Sequence, residues 1–292
     1  MDKEFHKGLL LAGFGSFWWG FIGVIYFRYL TFIGHTELVV HRCLWTTFTL
    51  LLTTIFFSKW QIFIKIISNA KNMMYLFFSG FLIFINWAVW IYAVATEKII
   101  DASFGYFIMP IISVMLGYFF FNENLNKKRI FSILLVVISI LFLITMSFKS
   151  LPWVGIIVAL SWAFYNLIKK KINIDTDLGL LIESLFILPF ALIVFYLITQ
   201  KGLNDFSFSN PSLMIILLLA GPMTVIPLFL YVRGVELCGL GPTGMIFYIT
   251  PTLQFILGYF YYNEVFSIFK LVSFILIWIA VFIYLKDLYE KN

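Results

Sequence analysis

The stretch PIISVMLGYFFFNE at 110–123 returns as PTLQFILGYFYYNE at 251–264. Pro110 pairs with Pro251, Leu116-Gly117-Tyr118-Phe119 with Leu257-Gly258-Tyr259-Phe260, and Asn122-Glu123 with Asn263-Glu264, every pair 141 residues apart. Shared hydrophobicity alone does not produce seven identities in one order at one offset, because Pro, Asn and Glu are scarce in this chain. The sequence therefore reads as an internal duplication.

Composition says what kind of unit is duplicated. Of 292 residues 62% are hydrophobic and 12% charged, with a mean hydropathy of +1.01, which leaves too little polar surface for a domain dissolved in water. Apolar runs fall at 8–30, 37–57, 73–95, 101–121, 130–148, 152–170, 178–199, 211–235, 241–262 and 268–286. Runs of about 20 residues match a membrane-crossing helix, and they lack the strict alternation of barrel strands. The predicted fold is all-α and integral to the membrane, with ten transmembrane helices. Residues 8–148 form one five-helix repeat and 152–286 a second, within one structural unit. Five is odd, so the second copy enters the bilayer from the opposite side. Inverted repeats of this kind are common in secondary transporters. The first run continues into Tyr26-Phe27-Arg28-Tyr29 without a small-residue cleavage site and is expected to be an uncleaved helix. Cys43 and Cys238 are the only cysteines, so a disulfide framework is excluded.

Basic residues give the orientation. With a cytoplasmic N-terminus, 14 Lys and Arg face inside (Lys3 to Lys291) and 5 outside (Arg28, Lys98, Lys149, Lys201, Lys270), Arg42 lying within a span. Both termini are then cytoplasmic, in a bacterial inner membrane. The net charge of +6 is scattered over separate loops and does not form a nucleic-acid surface.

The duplicated plan, with a Pro in the fourth and ninth helices and Asn-Glu ending each, resembles the EamA branch of the drug/metabolite transporter superfamily. Narrower features resemble its RarD-type permeases: His41-Arg42, Asn86-Trp87, Ala102 to Ile108 leading to Pro110, the stretch Ser161 to Lys171 with Tyr165, and Glu183. The resemblance implies a bundle with cytoplasmic termini and a central cavity lined mainly by helices one to four and six to nine. Met109 stands where Asn is expected and Phe247 where Gln is expected, and both changes remove polar groups near that cavity.

Polar groups inside spans are costly and usually face a cavity or a partner. Glu37 and His41, four apart on the second helix, share a face and can interact; Arg42 lies about 100° round and needs a partner of its own. At an offset of 142, His41 maps onto Glu183. Arg42 and Glu183 are candidates to anchor the carboxylate and amine of a zwitterionic solute, against the plainer reading that the second-helix charges hold helices in register. His41 or Glu183 is a candidate proton carrier. Asn86, Trp90, Tyr106, Tyr165, Asn166 and Tyr248 are the other candidate solute contacts, each equally well explained by an interhelical hydrogen bond. Pro110 and Pro251 are expected to kink their helices as paired hinges, freeing the Tyr106 and Phe247 carbonyls. Gly8, Ala12, Ser16 and Gly20, echoed by Gly155, Ala159 and Ala163, form small-residue packing ridges.

No Walker pattern, metal-ligand spacing or nucleophile motif is present, so no cofactor, metal or catalytic role is expected. The expected function is alternating-access transport of a small organic solute: an amino acid, a metabolite or an amphiphilic drug. A lipid or lipid-linked precursor flippase and a membrane enzyme are the alternatives. Membrane lipids and the solute are the expected partners, with monomer and homodimer both open.

Overall fold

The computed structural model describes residues 3–95, 99–147, 153–172, 174–261 and 268–291. Asn263 and Glu264, the second copy of the repeated pair, lie outside these residues, as do Lys98 and Lys149. All regular structure among the described residues is helical. The first rod is α1 (Lys3–Phe17), a π-helical segment (Trp18–Gly23) and α2 (Val24–Tyr29). Then follow α3 (His35–Phe56), the short α4 (Trp60–Ile67), α5 (Ala70–Ala95), α6 (Ile99–Phe121) and α7 (Lys127–Ser147). The remainder is α8 (Trp153–Lys171), α9 (Thr176–Gln200), α10 (Pro211–Leu218), α11 (Ala220–Cys238), α12 (Leu240–Ile246), α13 (Ile249–Phe260) and α14 (Ile268–Lys291).

Among the described residues seven stretches are long and apolar enough to cross a membrane, and Gly105–Phe121 is a shorter apolar helix. Phe14, Phe56, Phe119, Phe190 and Phe282 project outward, exposed, as side chains in hydrocarbon can. The apolar runs 211–235 and 241–262 are divided in sequence only by residues 236–240, and the break in the structure is narrower still. Gly239 alone, at φ 94°, separates α11 from α12, a conformation that costs a side-chain-bearing residue about 1–2 kcal/mol.

The strongest helix pairings are retained when α1–α7, with the π segment, are exchanged for α8–α14. α1 packs on α11 as α8 packs on α5, and α3 packs on α11 as α9 packs on α5. α6 packs on α8 as α12 and α13 pack on α1 and the π segment. Three further strong pairs, α3 with α9, α6 with α12 and α7 with α14, map onto themselves, whereas α8 with α11 has no counterpart of similar strength. Side chains repeat the pattern: Ser139 Oγ donates to the Ser273 carbonyl at 2.8 Å and Ser273 Oγ to that of Ser139 at 3.5 Å. Small residues allow the close approaches. A Cβ at Gly234 would lie 2.8 Å from that of Ala12, and one at Gly20 would lie 2.8 Å from the Thr250 carbonyl. The ridge on the first rod is thus used for packing.

The repeated Gly and Glu have a joint structural role. Asn122, at φ 53°, ends α6, and the Glu123 N–H donates to the Gly117 carbonyl at 3.1 Å. The Glu123 carboxylate then accepts from the N–H groups of Leu240 and Gly241 at 2.7 and 2.8 Å, capping α12 from the other half of the chain. Side chains at 117, 239 or 241 would collide with that carboxylate, so three glycines clear its site. Burial pushes the Glu123 carboxyl above its ordinary value, against the lowering effect of the two N–H donors.

Proline behaves differently in the two copies. α6 runs unbroken through Pro110, whereas in the second copy Phe247–Tyr248 separate α12 from α13 and Pro251 stands in the first turn of α13. A first-turn proline forfeits no intrahelical bond. The Phe247 carbonyl is not free, because the Thr250 N–H donates to it at 2.9 Å.

Candidate functional site

A half-open cavity of about 70 Å³ lies between the two sets of rods, walled by residues of both. Its position follows from where the lining residues sit on their helices. Phe27 is near the end of α2, Arg42 in the second turn of α3, Trp90 late in α5, Tyr106 in the second turn of α6, and Gln254 midway along α13. All but the last place it towards the end of the bundle that carries the 30–34 turn.

Aromatic rings supply most of the wall. Trp19, brought inward on the π segment, meets Trp162 edge-on at 5.2 Å and Phe247 at 6.3 Å. Tyr106 lies 5.7 Å from Phe247, and Phe27 lies 6.0 Å from Trp90. π-helical turns often mark functional positions, and this one places both Trp19 and Gly23 on the cavity. Asn86 donates its amide to the Val158 carbonyl at 3.0 Å and to Ser161 Oγ at 3.1 Å, which fixes it across α5 and α8. Arg42 enters from α3 with its Nε donating to Thr224 Oγ1 at 3.1 Å and its guanidinium over the rings of Trp87 and Phe27 at 4.6 and 5.1 Å. These contacts hold a planar cation in one orientation on the cavity wall.

Of the residues singled out from sequence, Arg42, Asn86, Trp90 and Tyr106 line this cavity together. The others lie elsewhere. Glu183 is sealed among Ser79 Oγ at 2.6 Å, Lys169 Nζ at 3.0 Å and the Tyr165 hydroxyl at 3.1 Å. Lys169 and Glu183 are each 2% exposed, so the pair is a closed ion pair and Tyr165 is part of it. Asn166 donates back to the Trp162 carbonyl at 2.9 Å, and the Tyr248 hydroxyl donates to the Phe107 carbonyl at 2.8 Å, 141 residues away. His41 Nδ1 accepts from Trp45 Nε1 at 3.1 Å, which leaves the proton on Nε2, 3.3 Å from Glu37 Oε1. The same Glu37 oxygen accepts from the N–H groups of Asp205 and Phe206 at 2.8 and 3.2 Å, tying the 201–210 loop to α3. Pro110 and Pro251 are not among the lining residues.

The opposite end of the bundle is closed by polar contacts. Besides the Lys169–Glu183 pair and the Glu123 cap, Lys59 bridges to Asp177 at 2.8 Å and Arg129 to Asp287 at 2.9 Å. Lys170 Nζ also donates to the Glu236 carbonyl. Asp177, with Asp175, holds the Lys59 ammonium above its ordinary value despite the lowering effect of burial.

Sequence reasoning missed Trp19, Phe27, Trp87, Trp162, Thr250 and Gln254 as lining residues. Trp19, Trp87 and Trp162 had little to single them out, since seven of the nine tryptophans fall on helices already carrying a candidate or a small-residue ridge.

Comparison with known proteins gives a consistent picture. Residues 6–145 and 150–286 each match the EamA-like transporter family. Protein RarD of Salmonella typhi is 32% identical over 285 residues, covering 98% of this chain and 96% of that one. An uncharacterized transporter of Vibrio cholerae is 33% identical over 287 residues, covering 98% and 94%. A solved crystal structure superposes with a TM-score of 0.70 at 12% identity, covering 95% of this chain and 96% of the other.

Proposed function

Because the chain belongs to the EamA-like transporter family, and is a multi-pass membrane protein, we propose that it is a secondary transporter of a small organic solute in the bacterial inner membrane. One observation carries the reading: a cavity lined by both sets of rods, half-open in one part of the bundle, with ion pairs and a helix cap closing the other end. Such a one-sided cavity suits alternating access, in which two related halves exchange which face is closed.

Ten membrane crossings arranged as inverted repeats 8–148 and 152–286 fit the helix pairing, whose strongest pairs survive exchange of the halves. With the Lys- and Arg-rich face inward and both termini cytoplasmic, the closed end is the cytoplasmic one and this state faces outward. Arg42, Asn86, Trp90 and Tyr106 meet the solute in this reading. Glu183, Tyr165, Asn166, Tyr248, Glu37 and His41 hold helices and loops in place. The break at Phe247–Tyr248 ahead of Pro251 is the flexible joint, with Pro110 its stiffer counterpart.

Reconstituted liposomes test the proposal. A labelled panel of amino acids, carboxylates, nucleosides and amphiphilic drugs should include a solute that crosses faster than in protein-free vesicles. Gly23→Leu, which fills the cavity where an added Cβ meets nothing closer than 3.4 Å, should stop that flux. No accelerated solute, or unchanged flux in Gly23→Leu, would remove the reading.

A further inference from the structure

We propose that the solute is a small organic monoanion, a carboxylate on a planar apolar body, and that the Arg42 guanidinium receives the carboxylate. This rests on the transport reading and narrows it to one substrate class. Arg42 is 7% exposed, yet among the described residues no carboxylate pairs with it. A guanidinium carries five N–H donors. Thr224 Oγ1 takes only the Nε donor, so the four on the terminal nitrogens have no acceptor among the described residues. Thr224 is itself fixed by donating to the Ala220 carbonyl at 2.8 Å. The rings of Trp87 and Phe27 offset part of the cost of burying the cation. They supply no acceptor for the fork, and a carboxylate fits that fork with two parallel hydrogen bonds.

Three further observations restrict the class. Among the described residues no Asp or Glu lines the cavity, and Glu183 is already paired with Lys169. A solute ammonium would meet the charge of Arg42 and no carboxylate among the described lining residues, which disfavours zwitterions. The aromatic walls suit a ring or conjugated body. The half-open cavity, about 70 Å³, has room for roughly five waters, which limits the solute to a small molecule.

A charge series on one scaffold tests this with the purified full chain in nanodiscs, by calorimetry: phenylacetate (anion), phenylacetamide (neutral), phenethylamine (cation) and phenylalanine (zwitterion). Phenylacetate should bind at least about tenfold more tightly than the amide, the margin of one charge-assisted fork, and more tightly than phenylalanine. Arg42→Gln should bring phenylacetate and phenylacetamide to similar affinities, and Arg42→Lys, which keeps charge but loses the fork, should fall between. Phenylacetamide binding by Arg42→Gln checks that the cavity is intact; loss of both ligands together would count against a specific carboxylate contact. Equal binding of anion and amide by the natural chain, or preference for phenylalanine, overturns the inference. So does transfer of an anionic phospholipid between leaflets, blocked by Arg42→Gln, with no phenylacetate binding, because the fork would then serve a lipid phosphate. Liposome flux separates the two readings: transport of a cation or neutral solute with no anion preference ends this inference alone, whereas absence of any flux ends the transport reading as well.

Discussion

At the closed end of the bundle, Lys169 meets Glu183, Arg129 meets Asp287, and Glu123 meets two backbone N–H groups. In the cavity nearer the other end, Arg42 is similarly buried but has a hydroxyl and two aromatic faces in place of an anion. Burial is nearly equal, so burial does not separate structure from function here. Completion does. A charge whose partners are all supplied by the protein has no valence left for a ligand, while one left incomplete can be finished only by something that enters.

The contrast can be broken most severely at the closed end. Lys169→Met alone leaves Glu183 buried without its cation and should cost about 3–5 kcal/mol, read as a lowered unfolding midpoint in detergent. Adding Glu183→Leu should restore most of that loss; a double variant as unstable as the single one would show the pair to be more than an isolated ion pair. Arg42→Met should behave in the opposite sense. Stability should hold or rise, since an uncompensated charge is removed, while flux of the preferred solute falls about 10- to 100-fold, the worth of a charged hydrogen-bonding fork. A stability loss as large as that of Lys169→Met would mean that Arg42 has a protein partner in the folded chain.

Smaller effects sharpen the comparison. Glu123→Ala strands the Leu240 and Gly241 donors and should cost about 1–3 kcal/mol, with Gly239→Ala costing a similar amount through its left-handed backbone and its crowding of the same carboxylate. Either change should also increase hydrogen exchange at 240–241. The weakest effect is on pH. The Glu123 carboxyl is raised in the folded chain, so the folded state holds its proton to higher pH than the unfolded one. Its contribution should therefore decline as pH rises from the ordinary carboxylate range through the raised folded value. Glu123→Gln should flatten that slope in thermal melts.

Much of this was legible in the sequence. Helix-length apolar runs and the 141-residue offset predict a helical membrane bundle of two related halves, and Arg42, Asn86, Trp90 and Tyr106 do share one cavity. What could not be read depends on contacts between distant segments. Lys169 sits in a run of three lysines, which suggests a solvated helix end, and only the approach of α9 makes it the partner of Glu183. Glu183 therefore looked available when it is occupied. The π segment carries no local sign, because Trp18–Gly23 has no proline, and its close approach at Gly20 is to the distant Thr250. The two prolines looked equivalent because the pattern does not reveal that Tyr248 starts a new helix beside Pro251.

The Glu123 cap has a genetic consequence. Its two partners are main-chain amides, which every residue except proline provides, so almost any codon at 240 preserves the donor, and the contact is inherited through position 123 and the glycines at 117, 239 and 241 that make room for it. An ion pair such as Lys169–Glu183 can be lost from either side and repaired by a matching change at the other. A defect at Glu123 has no complementary exchange at 240 or 241 to repair it, and suppressors should instead map to segments that steady the start of α12 by another route.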